Sequence, residues 1–135
     1  GPGYGGSCFP KDVRALAALG RHYGSPVRLA EAAENANDEQ GLFVLQLLQR
    51  ALGSFGGKRI ALWGLSYKPE TDDIRDAPSL RFVERLLEAG AEIVGHDPEA
   101  GANFRQRFGD RVRIVYRQYD AVAGADALVL LTEWR

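Results

Sequence analysis

The second half of the chain alternates short apolar runs with segments of helical spacing. The runs that fit buried strands are 59–64, 92–95, 112–116 and 127–131. The segments between them whose apolar residues recur at helical spacing are 78–89, 102–108 and 119–123. A strand–helix alternation of this kind predicts βαβ units with right-handed crossovers around a parallel sheet.

The first half of the chain lacks this alternation and is predicted to be helical. A short helix is predicted over 11–19, with Gly20 as its end, and Ser25 and Pro26 are expected to open a much longer helix over 27–52. At about 1.5 Å per residue, the second helix exceeds the width of a small domain. We therefore expect it to act as a connector and to pack subunits together.

Together these patterns predict an α/β protein in two parts. Residues 1–57 are expected to form a helical arm with a long central helix, and residues 58–135 a Rossmann-like parallel-sheet half-domain. The chain opens inside a glycine-rich loop and stops after a strand-like run without a closing helix. This organisation leads us to expect a fragment of something longer.

Charge and cysteine content exclude several classes of partner. The 135 residues carry a net charge of -1 at pH 7 without a long run of like charge, so neither nucleic acid nor an acidic membrane surface is an expected partner. A single cysteine allows no intramolecular disulfide, and the sequence has neither a signal peptide nor an apolar run of transmembrane length. We therefore expect a cytoplasmic protein.

The opening dozen residues, GPGYGGSCFPKD, hold this cysteine in a glycine-rich loop. The start of the predicted helix and the Lys11 ammonium both favour the thiolate of Cys8, which is the nucleophilic form. Asp12 lies about one helical turn further on, where its carboxylate could position or deprotonate a water. A free cysteine is more often a small buried hydrophobe, but the glycines around this one leave little bulk to bury it. Cys8 is therefore the first candidate for chemistry.

The loop that follows the first predicted strand is a second candidate site. In open α/β sheets ligands bind beyond the carboxyl ends of the strands, which is where residues 64–75 are expected. Lys68 and Arg75 suit a phosphate or a carboxylate, and Tyr67 suits stacking or a hydrogen bond. The alternative is a solvated loop in which Arg75 pairs with a neighbouring aspartate, and residue chemistry does not separate the two. Because GxGxxG is absent, this half-domain is not an obvious dinucleotide binder.

Asp97 ends the second predicted strand, where a Rossmann fold often holds a ribose. Because Pro98 follows it, an aspartate that shapes a turn is at least as good an interpretation. His22 and His96 are not spaced with other ligands in any metal-binding pattern, so we expect no metal site.

Two separated motifs and the end of the sequence together resemble one family. GPGYGGSCFPKD opens the chain, GLSYKPETDDIRDAPS follows the first predicted strand, and LLTEW lies near the end. In this order they resemble the nucleotide-sugar 6-dehydrogenases, most closely the bacterial UDP-glucose 6-dehydrogenases. The resemblance covers essentially the whole chain. It implies a parent with an N-terminal NAD-binding Rossmann domain, a long central helix in a homodimer interface, and a C-terminal Rossmann-like domain for the nucleotide sugar.

The resemblance also implies roles for residues of this chain. Residues 1–57 would hold the catalytic cysteine loop and the dimerisation helices, and residues 58–135 most of the UDP-sugar-binding domain. Cys8 would be the nucleophile of a double oxidation with two NAD, through a thiohemiacetal and a thioester, and Asp12 would help activate the hydrolytic water. The residues implied to contact the sugar nucleotide are Gly3, Tyr4, Gly5, Gly6, Tyr67 and Lys68. Those implied to approach NAD are Cys8, Lys11 and Arg75.

Two alternatives remain open beside this reading. The first is the same chemistry on GDP-mannose or on a UDP-N-acetylhexosamine. The second is a non-catalytic module that dimerises and binds a nucleotide sugar, although the intact set of Cys8, Lys11 and Asp12 argues against it. The family's NAD-binding domain and several of its catalytic residues do not occur in this sequence. We therefore expect this polypeptide alone to have no dehydrogenase activity.

Overall fold

In the computed structural model, which describes residues 1–134, the chain begins with two helices. They are α1 (Phe9–His22) and α2 (Arg28–Leu52). The long helix predicted in the first half is therefore confirmed, with its carboxyl end at Leu52 as expected. No helix within residues 1–134 is both long enough and apolar enough to cross a membrane.

The connection between the two helices differs from the prediction. Gly20 lies inside α1 rather than at its end, and it is buried. A Cβ on Gly20 would lie 2.7 Å from the carbonyl oxygen of Ser25 and 2.8 Å from the Val27 side chain, so glycine is needed here for close approach. The predicted Ser25 cap is also wrong, because Val27 is the N-cap residue of α2 and makes no side-chain capping bond.

The second half of the chain contains one parallel sheet. Its strands are β1 (Arg59–Trp63), β2 (Glu92–His96), β3 (Val112–Ile114) and β4 (Ala127–Leu130). They are ordered β3-β2-β1-β4, and every neighbouring pair is parallel. The predicted α/β class is confirmed, and the four strands are those predicted, with ends that differ by one or two residues.

Helices cover both faces of this sheet. They are α3 (Pro78–Glu88), α4 (Gly101–Phe108) and α5 (Gln118–Val122), with a 3-10 turn at Gly109–Arg111. Residues of α3 and α4 belong to the larger buried cluster, and residues of α5 to a smaller cluster on the other face. This division follows from topology, because β4 lies on the opposite side of β1 from β2 and a right-handed return must cross the other face.

The larger buried cluster joins α2 to the sheet. Ile60 and Leu62 alternate along β1 and are fully buried in it, and Leu45 of α2 is buried in the same cluster. Other residues of α2 pack at its edge, namely Val44, Leu48 and Leu52. The second half of α2 is therefore part of the same core as the sheet, so burial of apolar area ties the arm to the half-domain.

Candidate active site

The strand order reverses at β1, and the loop after β1 begins at this point, where open α/β sheets bind ligands. Its first residues are fixed to the sheet. A Cβ on Gly64, whose φ is +81, would lie 2.5 Å from the carbonyl oxygen of Thr132. The Thr132 hydroxyl donates to the carbonyl of Ser66 at 2.5 Å, and the Ser79 hydroxyl donates to the carbonyl of Leu65 at 2.5 Å. The base of the loop is thus held by short contacts from two directions.

Asp97 holds the same loop from the end of β2. Its Oδ2 accepts the backbone N–H groups of Leu65 at 2.5 Å and Ser66 at 3.0 Å. Its Oδ1 accepts those of Glu99 at 2.9 Å and Ala100 at 2.7 Å. Burial alone would raise the pKa of this carboxyl, but the four backbone donors outweigh burial and hold the pKa below its ordinary value. This geometry supports the turn-shaping interpretation of Asp97 over the ribose-binding one.

The glycine-rich opening loop lies directly against the loop after β1. The Gly6 N–H donates to the carbonyl of Arg75 at 3.0 Å. A Cβ on Gly5 would lie 2.4 Å from the carbonyl oxygen of Asp76, and one on Gly6, whose φ is +98, would lie 2.8 Å from the Tyr67 ring. Glycine is required at both positions because no side chain fits between the loops. The two candidate sites predicted from the sequence therefore lie against each other.

The start of the opening loop contacts α2 instead. The Tyr4 N–H donates to Oδ1 of Asn37 at 2.6 Å, and a Cβ on Gly3 would lie 2.5 Å from the same oxygen. The Tyr4 ring packs edge to face on Phe9, with 4.7 Å between ring centroids. Asn37 was not identified from the sequence, because a polar residue in a helix carries no local signal of a partner 33 positions away.

Cys8 is the N-cap residue of α1, and its side chain is exposed. The Ser7 hydroxyl lies 3.7 Å from its Sγ. On the next residues, Lys11 Nζ donates to Oδ1 of Asp12 at 2.5 Å, and this hydrogen bond raises the pKa of the Lys11 ammonium. The structure thus places the predicted thiol, ammonium and carboxylate in the first turn of one helix, with Asp12 engaged by Lys11.

A shallow, open depression of about 620 Å³ lies next to the Cys8 loop. It is lined by Ser7, Lys11, Arg14, Arg75 and Asp76. Arg75 donates to Asp73 through Nε and Nη2, and this pairing, with smaller contributions from Cys8 and Tyr67, raises the pKa of the guanidinium. The Arg75 side chain is nevertheless 71% exposed, so its pairing with Asp73 leaves it accessible to an anion.

Arg14 is a member of this depression that sequence reasoning missed. Its Nη2 donates to Asp76 at 2.9 Å, and its Nε lies 3.6 Å from Glu34 of α2. One side chain therefore bridges α1, α2 and the loop after β1. The sequence indicates Arg14 only through its spacing. It lies three residues after Lys11, so the two cations occupy neighbouring positions on one face of the helix.

Tyr67 and Lys68 lie on the other side of the same junction. Tyr67 is half-buried beneath Gly6, and Lys68 Nζ lies 5.5 Å from the centroid of the Tyr67 ring. Among residues 1–134, no group of three or more His, Cys, Asp or Glu side chains is arranged to hold a metal ion. The chemistry available to the site is that of an exposed thiol beside accessible cations and a carboxylate.

Comparisons with known proteins agree with this architecture. The UDP binding domain of the UDP-glucose/GDP-mannose dehydrogenase family matches residues 61–135, and the central domain of that family matches residues 1–39. The chain belongs to this family. The resemblance found in the sequence motifs is thereby confirmed.

Individual members of the family match over nearly the whole chain. The UDP-glucose 6-dehydrogenases of Rhizobium meliloti strain 1021 and of Pseudomonas aeruginosa strain PAO1 are 43% and 46% identical to it, over 99% and 100% of its length. In each case the match covers 31% of the relative, so the chain spans about a third of the length of these family members.

Solved structures of the family share the fold. The UDP-glucose dehydrogenase of the hyperthermophilic archaeon Pyrobaculum islandicum is 34% identical, with a TM-score of 0.96 over 99% of this chain and 31% of that one. A GDP-mannose dehydrogenase from Pseudomonas aeruginosa is 27% identical, with a TM-score of 0.80 over 97% of this chain and 31% of that one.

Proposed function

We propose that this chain is part of a longer enzyme that oxidises UDP-glucose to UDP-glucuronate with two NAD. The observation that carries the proposal is the direct contact between the Cys8 loop and the loop after β1. That contact would put a nucleophile beside a nucleotide-sugar site at the carboxyl end of a parallel sheet. The relatives named UDP-glucose 6-dehydrogenase support the same substrate.

Cys8 would be the covalent catalyst. Its Sγ would attack the carbonyl carbon of the C6 aldehyde while the carbonyl oxygen takes up the thiol proton, which gives a thiohemiacetal. Loss of a hydride from that carbon and of the hydroxyl proton would then leave a thioester. A thiol suits both steps because it adds readily to carbonyls and its thioester is readily hydrolysed. NAD, when bound, accepts one hydride in each oxidation. The exposure of Cys8 at the first turn of α1 supports this role.

Asp12 would complete the reaction. Its carboxylate would accept a proton from the water that attacks the thioester, and Cys8 would leave as the thiolate. Lys11 donates to this carboxylate at 2.5 Å, so the ammonium would hold the carboxylate in place at the first turn of α1. The Lys11 ammonium is charged throughout the neutral range, and its hydrogen bond to Asp12 raises its pKa further.

Both loops would form the nucleotide-sugar site. The Lys68 ammonium would pair with the diphosphate, and Tyr67 would contact the same ligand. The residues that would line the sugar are Gly3, Tyr4, Gly5 and Gly6. The close packing of these glycines against neighbouring segments supports a site in which the sugar meets backbone rather than side chains.

Lys11 and Arg75 would meet the edge of NAD, with Cys8 beside its nicotinamide. Both cations line the open depression and are largely exposed, so the residues present fit an anionic cofactor that approaches from outside. Residues 58–135, which form the parallel sheet, contain no GxGxxG pattern. We therefore propose that most contacts to NAD come from another domain of the longer enzyme.

The division of the chain and its assembly are part of the same proposal. The arm, residues 1–57, would carry the Cys8 loop and the dimerisation helices, and residues 58–135 would bind the UDP-sugar. Leu29, Phe43 and Leu47 of α2 are exposed apolar residues, which supports a homodimer formed through this helix. Sedimentation equilibrium of the full-length protein tests the dimer.

The function is tested on the full-length protein that contains this chain. Wild-type protein is expected to form NADH from UDP-glucose at two per sugar nucleotide consumed. Cys8→Ser should lower kcat by about a thousandfold or more, because the covalent step is lost, while UDP binding by calorimetry stays unchanged. Arg107→Ala is the matched control. It removes the exposed salt bridge between Arg107 of α4 and Glu84 of α3 and should leave kcat within about twofold.

Other outcomes of this assay decide the alternatives. GDP-mannose and a UDP-N-acetylhexosamine are assayed in parallel, because solved structures similar to this chain include a GDP-mannose dehydrogenase and a UDP-D-ManNAc dehydrogenase. Faster turnover of one of these would replace UDP-glucose as the substrate. Unchanged turnover in Cys8→Ser would refute the nucleophile. Tight UDP binding without any turnover of the wild type would favour the non-catalytic module.

A further inference from the structure

Asn37 is a buried polar residue that the proposed chemistry does not use. It is 9% exposed and lies on α2, where the other buried side chain is the apolar Leu45. Burying an amide is unfavourable unless its donor and its acceptor are both paired. Both are paired here, and with the same residue. Oδ1 accepts the Tyr4 N–H at 2.6 Å, and Nδ2 donates to the Tyr4 carbonyl at 3.2 Å.

Two hydrogen bonds to one residue fix its orientation as well as its position. The neighbouring Gly3, whose φ is +111, is matched to this arrangement, because a Cβ there would lie 2.5 Å from Asn37 Oδ1. From Tyr4 the constraint passes to the cysteine side of the loop, since the Tyr4 ring packs on Phe9, the residue after Cys8. Asn37 therefore acts on both ends of the segment that holds Cys8.

The Cys8 side chain has little to hold it directly. Within residues 1–134, the one hydrogen-bond contact of its Sγ is with Ser7, which moves with the same loop. The position of Sγ is thus set by the backbone of residues 4–9. On its carboxyl side that backbone continues into α1, where the Asp12 N–H donates to the Cys8 carbonyl at 2.9 Å. Before α1 it is held by Asn37 at Tyr4 and by the Gly6 bond to Arg75.

We propose that Asn37 is a positioning residue for the Cys8 nucleophile. The kinetic consequence rests on the proposed function, whereas the placement of the thiol does not. A displacement of a reacting group by about 1 Å can lower a rate by about a hundredfold. Loss of the amide should therefore reduce kcat more than it raises KM. Gly3 and Tyr4 would also line the sugar, but Lys68, which would pair with the diphosphate, and Tyr67 are on another element.

The experiment compares amide variants of the full-length protein. Asn37→Leu removes both hydrogen bonds at similar volume. Asn37→Ser is the milder variant, since it leaves room for a water to pair with Tyr4 and so protects folding, but it loses the rigid two-point contact. Gln40→Leu is the matched control, because its amide donates to the carbonyl of Gly1 at the exposed start of the same loop.

Two readouts are measured for each folded variant. One is the rate of Cys8 alkylation by iodoacetamide, followed by peptide mass spectrometry, and the other is kcat and KM with UDP-glucose. We expect the Asn37 variants to change the alkylation rate at least about threefold and to lower kcat at least about tenfold, with KM within about threefold. Gln40→Leu should stay within about twofold of wild type on both readouts.

The alkylation rate decides the proposal. If folded Asn37→Ser alkylates at the wild-type rate, the proposal is overturned, even where kcat falls, because the effect then lies outside the Cys8 thiol. If the wild-type enzyme oxidises no nucleotide sugar, the proposed function fails instead. The alkylation comparison between Asn37→Ser and Gln40→Leu still decides the role of Asn37 in that case.

Discussion

At the scale of single residues, Asp97 shows how one buried carboxylate can fix the geometry of two loops. It gathers backbone N–H groups from the loop after β1 and from the turn that leads into α4. It also accepts the Trp134 indole N–H at 3.2 Å. Because hydrogen bonds to a charged acceptor are stronger than neutral ones, this carboxylate is expected to contribute to stability as well as to loop geometry.

We predict that Asp97→Asn lowers the free energy of unfolding by about 2–4 kcal/mol at pH 7, because the amide removes the charge and turns a donor towards backbone N–H groups. Equilibrium urea unfolding of the 135-residue chain measures this. Asp110→Asn, at an exposed aspartate, is the control and should change stability by less than about 0.5 kcal/mol. An equal effect of the two substitutions would contradict the prediction.

Asp97 also determines how the free energy of unfolding should change with pH. The pKa of Asp97 is lower in the folded chain than in the unfolded one, so its stabilisation is fully present above the ordinary unfolded pKa of about 4. It is lost as the pH falls through the folded pKa. The difference in unfolding free energy between wild type and Asp97→Asn should therefore shrink below about pH 4. A constant difference from pH 7 downward would show that charge plays no part.

Which residues could be found from the sequence depended on how local their partners are. Cys8 at a helix start was predicted, and the pairing of Arg75 with a neighbouring aspartate was one of two open interpretations, because each depends on neighbours within a few positions. The pairing of Asn37 with Tyr4 spans 33 positions and forms when the opening loop packs on α2, whereas that of Arg14 with Asp76 spans 62 positions and forms when the arm packs on the half-domain. The type of a residue does not indicate contacts over such distances in the sequence.

At the scale of elements, α2 carries apolar residues on a buried face and on an exposed face. Leu45 is 9% exposed and packs in the cluster beneath the sheet, whereas Leu47 is 46% exposed on a different face. Leu45→Ala should lower the free energy of unfolding by about 2–4 kcal/mol, because it leaves a cavity in the core. Leu47→Ala is the matched control and should cost less than about 1 kcal/mol in the monomeric chain.

Urea unfolding of the two variants at a concentration where the chain is monomeric makes the comparison direct. Equal losses would mean that the second half of α2 is not part of the sheet core. The proposed dimer makes a further distinction at high concentration. There, Leu47→Ala should lose stability through weaker association, whereas the loss in Leu45→Ala should not depend on concentration.

The elements themselves were largely predictable, and the exceptions share one cause. Strands and helices of the second half follow from apolar periodicity, because a buried face imposes its repeat on the sequence. The prediction that Gly20 ends α1 follows from the frequency of glycine at helix ends, and it is wrong because this glycine serves a close approach: a Cβ there would lie 2.7 Å from the carbonyl oxygen of Ser25. The prediction that Ser25 caps α2 is also wrong, because the Ser25 carbonyl packs against Gly20. Tertiary contact overrode a local preference in both cases.

At the scale of the whole molecule, the fold brings two loops from distant parts of the chain to one edge of the sheet. The first turn of α1 supplies the thiol, and the loop after β1 supplies the aromatic ring and the cations. Helix α2 is anchored in the sheet core, and it holds the opening loop through Asn37 and α1 through Glu34. A nucleophile on one element can then act on a ligand held by another only if this packing is kept.

The exposure of the site predicts what this chain does on its own. Cys8 is exposed, and the depression beside it is wide and open, so the chain alone neither excludes water nor fixes a cofactor against the thiol. We predict that the purified 135-residue chain forms no NADH from UDP-glucose and NAD, whereas the full-length protein does. Absorbance of NADH over several hours measures this, and the Cys8→Ser chain is the control for contaminating dehydrogenases. NADH formation by the wild-type chain that disappears in Cys8→Ser would contradict the prediction, because these residues would then orient both reactants without further protein.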